Sequence, residues 1–159
     1  MTASVEANFV GTTKRLAMSP TTEIEVISNG IAGDRYAAGA GSFSKTIEEG
    51  DAGRHVTLIE AEAIEIAAIE FGVDWSAGIH RRNIVTRGVP LNGLINRWLR
   101  IGDVVVRGER HCHPCRHLEK LTTLEAMRSL QMRGGLRARV VETGRIRVGD
   151  AIDVLERCP

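Results

Sequence analysis

Two matched punctuations, Ile101-Gly102-Asp103-Val104 and Val148-Gly149-Asp150-Ala151, each place a Gly-Asp pair ahead of a strand-forming run. Such pairs mark turns or bulges between strands. Around them the β signal dominates: Val5–Leu16, Thr22–Ser28, His55–Ile59, Asn83–Thr86, Leu99–Arg107, Leu136–Glu142 and Arg145–Leu155 read as strands, with Ser19-Pro20 as the first turn. The alternation in Glu23-Ile24-Glu25-Val26 fits a strand with one buried face. One stretch, Glu60–Phe71, has clear helical spacing, with Ile64, Ala67, Ala68 and Phe71 opposite Glu62, Glu65 and Glu70, and Gly72 suits the position past its end. A second helical region of one or two short helices is expected in Pro114–Gln131, with Thr122 or Thr123 as N-cap and Glu125 completing a capping box. Many short strands with few helices predict a closed or partly closed β-barrel. Too few helices alternate with the strands for a doubly wound sheet.

A chain of 159 residues, 43% apolar and 26% charged, suits one globular domain over 1–159. No apolar run approaches a membrane span, and the polar start lacks the regions of a signal peptide, so the expected compartment is the cytoplasm with no membrane partner. A net charge of +1 argues against a general nucleic-acid binder. Three cysteines do not suggest a secreted disulfide framework.

Residues 111–117 read His-Cys-His-Pro-Cys-Arg-His, gathering Cys112, Cys115 and three of the five histidines. A thiol among imidazoles and guanidinium groups has its thiolate favoured by positive neighbours. Cys115 follows a proline, a favoured first-turn residue, so a helix N-terminus would favour the thiolate further. Cys112 could resolve an adduct on Cys115 through a C-x-x-C disulfide. His117, with His111 and His113, titrates near neutral pH and suits proton shuttling. Cys158, one residue from the end, reads as incidental. The competing reading is a zinc module of Cys112, Cys115 and one or two of these histidines, completed by His55 or His80; the run is half of the usual two-cluster spacing.

Lysine occurs only at Lys14, Lys45 and Lys120, leaving arginine as 18 of 21 cations. Two clusters stand out: Arg81-Arg82-Asn83 ahead of a strand, and Arg133-Gly134-Gly135 followed by Arg137. Arginine forks and glycine-exposed backbone N–H groups suit an anionic small molecule. Asp34, Arg35 and His55 are weaker candidates for the wall of the same cleft. Ion pairing with nearby carboxylates is the alternative use of these arginines. Gly33-Asp34-Arg35-Tyr36 and the glycine-rich Ala37–Ser44 read as a mobile loop.

The ordered set Arg81-Arg82-Asn83-Ile84-Val85, Gly88-Val89-Pro90-Leu91-Asn92, Ile101-Gly102-Asp103, Cys112-His113-Pro114-Cys115-Arg116-His117-Leu118 and Arg133-Gly134-Gly135-Leu136-Arg137-Ala138 resembles the MOSC domain. That module is found at the C-terminus of molybdenum-cofactor sulfurases and in small stand-alone bacterial proteins. Upstream, Gly30-Ile31-Ala32-Gly33-Asp34-Arg35 resembles the family's early Gly-Asp-Arg loop. The resemblance implies a mixed β-barrel with a few short helices, and a functional cysteine at Cys115 that carries sulfur as a persulfide toward the molybdenum cofactor. It implies a molybdopterin-like ligand or substrate, a cysteine desulfurase as donor and a molybdoenzyme as acceptor. Some stand-alone relatives handle N-hydroxylated or small sulfur compounds instead. No pyridoxal phosphate is expected in this chain, because the sulfurases hold it in a separate domain and none of the three lysines lies in a recognisable motif. No metal site is assigned.

Overall fold

The computed structural model describes residues 2–13, 17–38, 54–76, 78–114 and 125–159. Among the described residues there are eleven strands: β1 Ser4–Val10, β2 Ser19–Thr21, β3 Glu23–Ile27, β4 Gly30–Ile31, β5 Val56–Glu60, β6 Ile84–Arg87, β7 Trp98–Ile101, β8 Val104–His111, β9 Leu136–Glu142, β10 Gly144–Arg147 and β11 Ile152–Leu155. Helix α1 spans Ala61–Phe71 and the short α2 spans Ala126–Ser129. Eight strands form one sheet in the order β11-β7-β8-β9-β5-β6-β1-β2, and β10-β3-β4 form a second. The sheet is mixed, because β5 and β6 run parallel with α1 in the connection between them.

The mainly-β architecture with few helices agrees with the sequence, but the barrel ladder is not closed. The start of β1 and the chain just before β11 touch through a single isolated bridge, Ser4 with Ala151, and through hydrogen bonds such as Val5 N–H to the Asp150 carbonyl (2.9 Å). Closure stops there for a physical reason. Beyond Val5 the outer edge of β1 is taken by β2, with Asn8, Phe9 and Val10 opposite Thr21, Pro20 and Ser19. Ser19-Pro20 is therefore strand rather than turn, with proline on the sheet's edge, where its missing N–H costs no ladder bond.

Two other boundaries move. Leu99–Arg107 is a hairpin, β7 and β8, turning at Gly102-Asp103 with Ile101 opposite Val104. Arg145–Leu155 is two strands in different sheets, since β10 pairs with β3 and β11 with β7. After the strand read over Thr22–Ser28, Asn29-Gly30 turns the chain straight back into β4, with Ile27 opposite Gly30.

Two apolar cores result. The larger lies between the sheets and includes Ile24, Val26, Leu58, Leu99, Val104, Val106, Leu136 and Ile146. The second lies under α1 and includes Phe9, Ile59, Ala63, Ala67, Trp75, Val85 and Leu130. Helix α1 buries Ala61, Ala63 and Ala67, flanked by half-buried Ile64 and Phe71, whereas Ala68 faces out. It ends on Gly72 in the left-handed conformation (φ 64°). Of the expected helical region, Thr122 and Thr123 lie outside the described residues, as does most of Ala37–Ser44.

Candidate functional site

A buried polar web lies where β1 ends and β6 begins. Asp34 is 3% exposed and accepts the N–H of Gly11 (3.1 Å), the N–H of Tyr36 (3.1 Å) and Asn83 Nδ2 (3.1 Å). Asn83 in turn donates Nδ2 to the Phe9 carbonyl, and its Oδ1 accepts both the Thr57 N–H (3.1 Å) and the Thr57 hydroxyl (2.9 Å). The amide of Asn83 is thus saturated and ties β5, β6 and the 34–36 turn together. Sequence reasoning had no signal for Thr57, which enters through strand register.

Arg35 lies against this web, 5% exposed, 3.8 Å from Asp34 Oδ2 and with its guanidinium 4.8 Å from the Tyr36 ring centre. Its Nε and Nη1 have no hydrogen-bond partner. Beside it, Arg81 is half-buried and sits in the left-handed region (φ 60°). Burial, with the charges of Arg35 and Arg82, lowers its pKa to about 10.

Arg82 is buried and spans three chain segments. Nε donates to the Gly134 carbonyl (2.9 Å), Nη1 to the His80 carbonyl (2.9 Å) and Nη2 to the Cys112 carbonyl (3.1 Å). Its backbone N–H donates to His80 Nδ1 (2.9 Å). The His80 ring, 1% exposed and edge-on to Phe9, is held neutral because burial and the Arg82 charge push its pKa down to about 3.

Cys112 leaves β8 as a free, buried thiol, with its N–H on the Gly135 carbonyl (2.8 Å). It lines a shallow depression with Asn92, His111, His113, Met132 and Gly134. His111 Nε2 lies 3.1 Å from the Asn92 carbonyl, so this nitrogen carries the proton. Asn92 Nδ2 donates to the carbonyl of Met132 (2.7 Å), a residue also in the left-handed region (φ 62°). The adjoining cleft is lined by His113, Pro114, Met127, Arg128, Gln131 and Met132. Cys115, Arg116 and His117 lie outside the described residues.

The remaining candidates separate. Arg133 turns to Glu70 (3.7 Å) on α1, away from the web. His55 precedes β5, and its Nδ1 accepts the Val140 N–H (3.2 Å). Arg137 is half-buried on β9, directly opposite Thr57 on β5 and Arg110 on β8. Among the described residues no carboxylate pairs with it. The next arginine pair of the same ladder, Arg107 opposite Arg139, is bridged by Glu109 at 3.1 and 2.8 Å. Among the described residues no group of three His, Cys, Asp or Glu is placed to hold a metal. Nor does any described helix have the length and apolarity to cross a membrane.

Residues 41–153 match the model of the MOSC domain. The chain belongs to the MOSC domain family. Solved structures similar to this MOSC chain include the YuaD protein of Bacillus subtilis, with 19% identity, TM-score 0.81, and coverage of 97% of this chain and 96% of that one. YiiM of Geobacillus stearothermophilus is similar at 15% identity and TM-score 0.74, over 98% of this chain and 76% of that one. YiiM of Escherichia coli follows at 14% identity and TM-score 0.67, over 97% and 70%. These likenesses establish the fold. No curated protein matches the sequence.

Proposed function

We propose that this MOSC protein handles sulfur on Cys115 and docks an anionic, molybdopterin-like small molecule beside the Asp34–Asn83–Thr57 web. Arg137 is the observation that carries the anion site. Arg137 lies half-buried beside the Thr57 end of the web, and among the described residues no carboxylate pairs with it, whereas Glu109 neutralises Arg107 and Arg139 further along the ladder. Arg35, with two buried nitrogens lacking acceptors, adds positive potential on the neighbouring strands. These donors fit the phosphate of a pterin: Arg137 and Arg81 would hold it, and Thr57 and Asn83 would keep the floor rigid. A bound molybdenum cofactor would supply the metal centre that receives sulfur.

The transfer step assigned to Cys115 is conservative. Its thiolate attacks the terminal sulfur of a donor persulfide, such as that of a cysteine desulfurase, and the donor leaves as its own thiolate. Cys115 then holds the persulfide, with no net oxidation. A molybdoenzyme is the corresponding acceptor, and the cytoplasm its setting.

Inorganic phosphate and pyrophosphate test the anion site by thermal shift. Wild-type protein is expected to gain melting temperature with either, and Arg137→Gln to lose that gain. An equal gain in Arg137→Gln, or none in wild type, contradicts the assignment.

A further inference from the structure

We infer that His111, His113 and Met132 form a site for one soft monovalent metal ion of the copper(I) type. Neither a thiol nor an arginine takes part, so the site does not depend on the function proposed above. Strand β8 ends at His111, and the alternation of an extended chain returns His113 to the same side. The two rings meet edge to face, with centres 5.5 Å apart and planes at 87°. Imidazole nitrogens held about 2 Å from a common ion put their ring centres roughly 5–6 Å apart, so the observed spacing suits a shared ion.

Asn92 arranges the donors. Its carbonyl accepts the Nε2–H of His111 (3.1 Å), which leaves the Nδ1 lone pair for a metal. Metal-binding histidines characteristically spend their other ring nitrogen in this way. The Asn92 side chain meanwhile donates Nδ2 to the Met132 carbonyl (2.7 Å). Met132 is held in the left-handed region (φ 62°), and the residue, 70% exposed, lines the same depression as both histidines. One residue thus orients an imidazole and tethers a thioether at a single opening.

Size and donor type choose the ion. The depression offers about 10 Å³, room for one water-sized ion rather than an organic ligand. No carboxylate among the described residues lines it or the adjoining cleft. Magnesium and calcium require oxygen donors, whereas thioether and imidazole together favour copper(I). Zinc sites are built from three or four thiolate, imidazole or carboxylate ligands, and the described residues place no three of those together.

Copper(I) is supplied anaerobically as its bicinchoninate complex to a Cys112→Ser/Cys115→Ser/Cys158→Ser protein, in which no thiol competes for it. The protein is expected to withdraw one equivalent, seen as loss of the complex's colour. Met132→Leu and His113→Gln in the same background are each expected to weaken binding at least about tenfold. Zinc is expected to bind at least about tenfold more weakly than copper(I). In methyl-labelled protein the Met132 methyl resonance is expected to shift with the first equivalent. No uptake of copper(I), or uptake unchanged by Met132→Leu, overturns the site, and zinc binding as tight as copper(I) overturns the choice of ion. Should the thiol-free protein fail to fold, the Cys115→Ser/Cys158→Ser protein keeps the buried Cys112, and a Met132 methyl that copper(I) leaves unmoved overturns the proposal there.

Discussion

Arginine does three different jobs within a few residues here, and burial and partners distinguish them. Arg82 is a clamp, each of its three guanidinium nitrogens donating to a backbone carbonyl. Arg35 is buried with donors to spare, and Arg137 faces another arginine across a ladder. His80 makes the clamp sensitive to pH. Its ring must stay neutral to accept the Arg82 N–H, and burial, aided by Arg82, pushes its pKa down to about 3. As pH falls below the ordinary histidine value of about 6.5, the unfolded chain takes up a proton that the folded chain refuses. Stability therefore declines from there toward about pH 3, by up to about 1.4 kcal/mol per pH unit from this group. Urea denaturation at about pH 7.5 and about pH 5.5 is expected to show this slope in wild type and a shallower one in His80→Asn. The sequence singles out Arg35, Arg81, Arg82, Asn83 and Arg137 but cannot separate their tasks. The Arg82 acceptors include Cys112 and Gly134, 30 and 52 residues away, and no local pattern carries that distance.

At the scale of elements, local rules worked where a period or a stop was strong. Helix α1 is found to within a residue because its apolar spacing and Gly72 agree. The Gly-Asp pairs mark real turns, yet each divides a run that reads as one strand, because β-branched residues on both sides look continuous. Helix α2 is too short to be stable alone and depends on what it touches. Its anchor is Ser129, whose hydroxyl accepts Trp75 Nε1 at 3.0 Å, both residues being fully buried. Ser129→Ala leaves that indole N–H unsatisfied and is expected to cost about 1–3 kcal/mol, measured by urea denaturation followed through tryptophan fluorescence. The loss should appear without a change in the β signal of circular dichroism, since the tie bears on the core under α1 rather than on the sheet.

For the molecule as a whole, the mixed, mainly-β architecture was legible from the succession of strands and from the ordered family motifs. Barrel closure was not. It turns on which chain occupies the outer edge of β1, and three residues containing Pro20 occupy it. The same long-range pairing gives the site its form. β5 and β9 set Thr57 beside Arg137, β6 sets Asn83 against Thr57, and Arg82 reaches from that web to the segment leading to Cys115. The central claim of the proposed function is that Cys115 carries sulfur. Intact-protein and peptide mass spectrometry of the Cys112→Ser/Cys158→Ser protein, after incubation with a cysteine desulfurase and cysteine, tests this most directly. A gain of one sulfur atom on the peptide containing Cys115, removed by a reducing agent, is the predicted result. An unmodified Cys115 under conditions that load a known persulfide acceptor would contradict it.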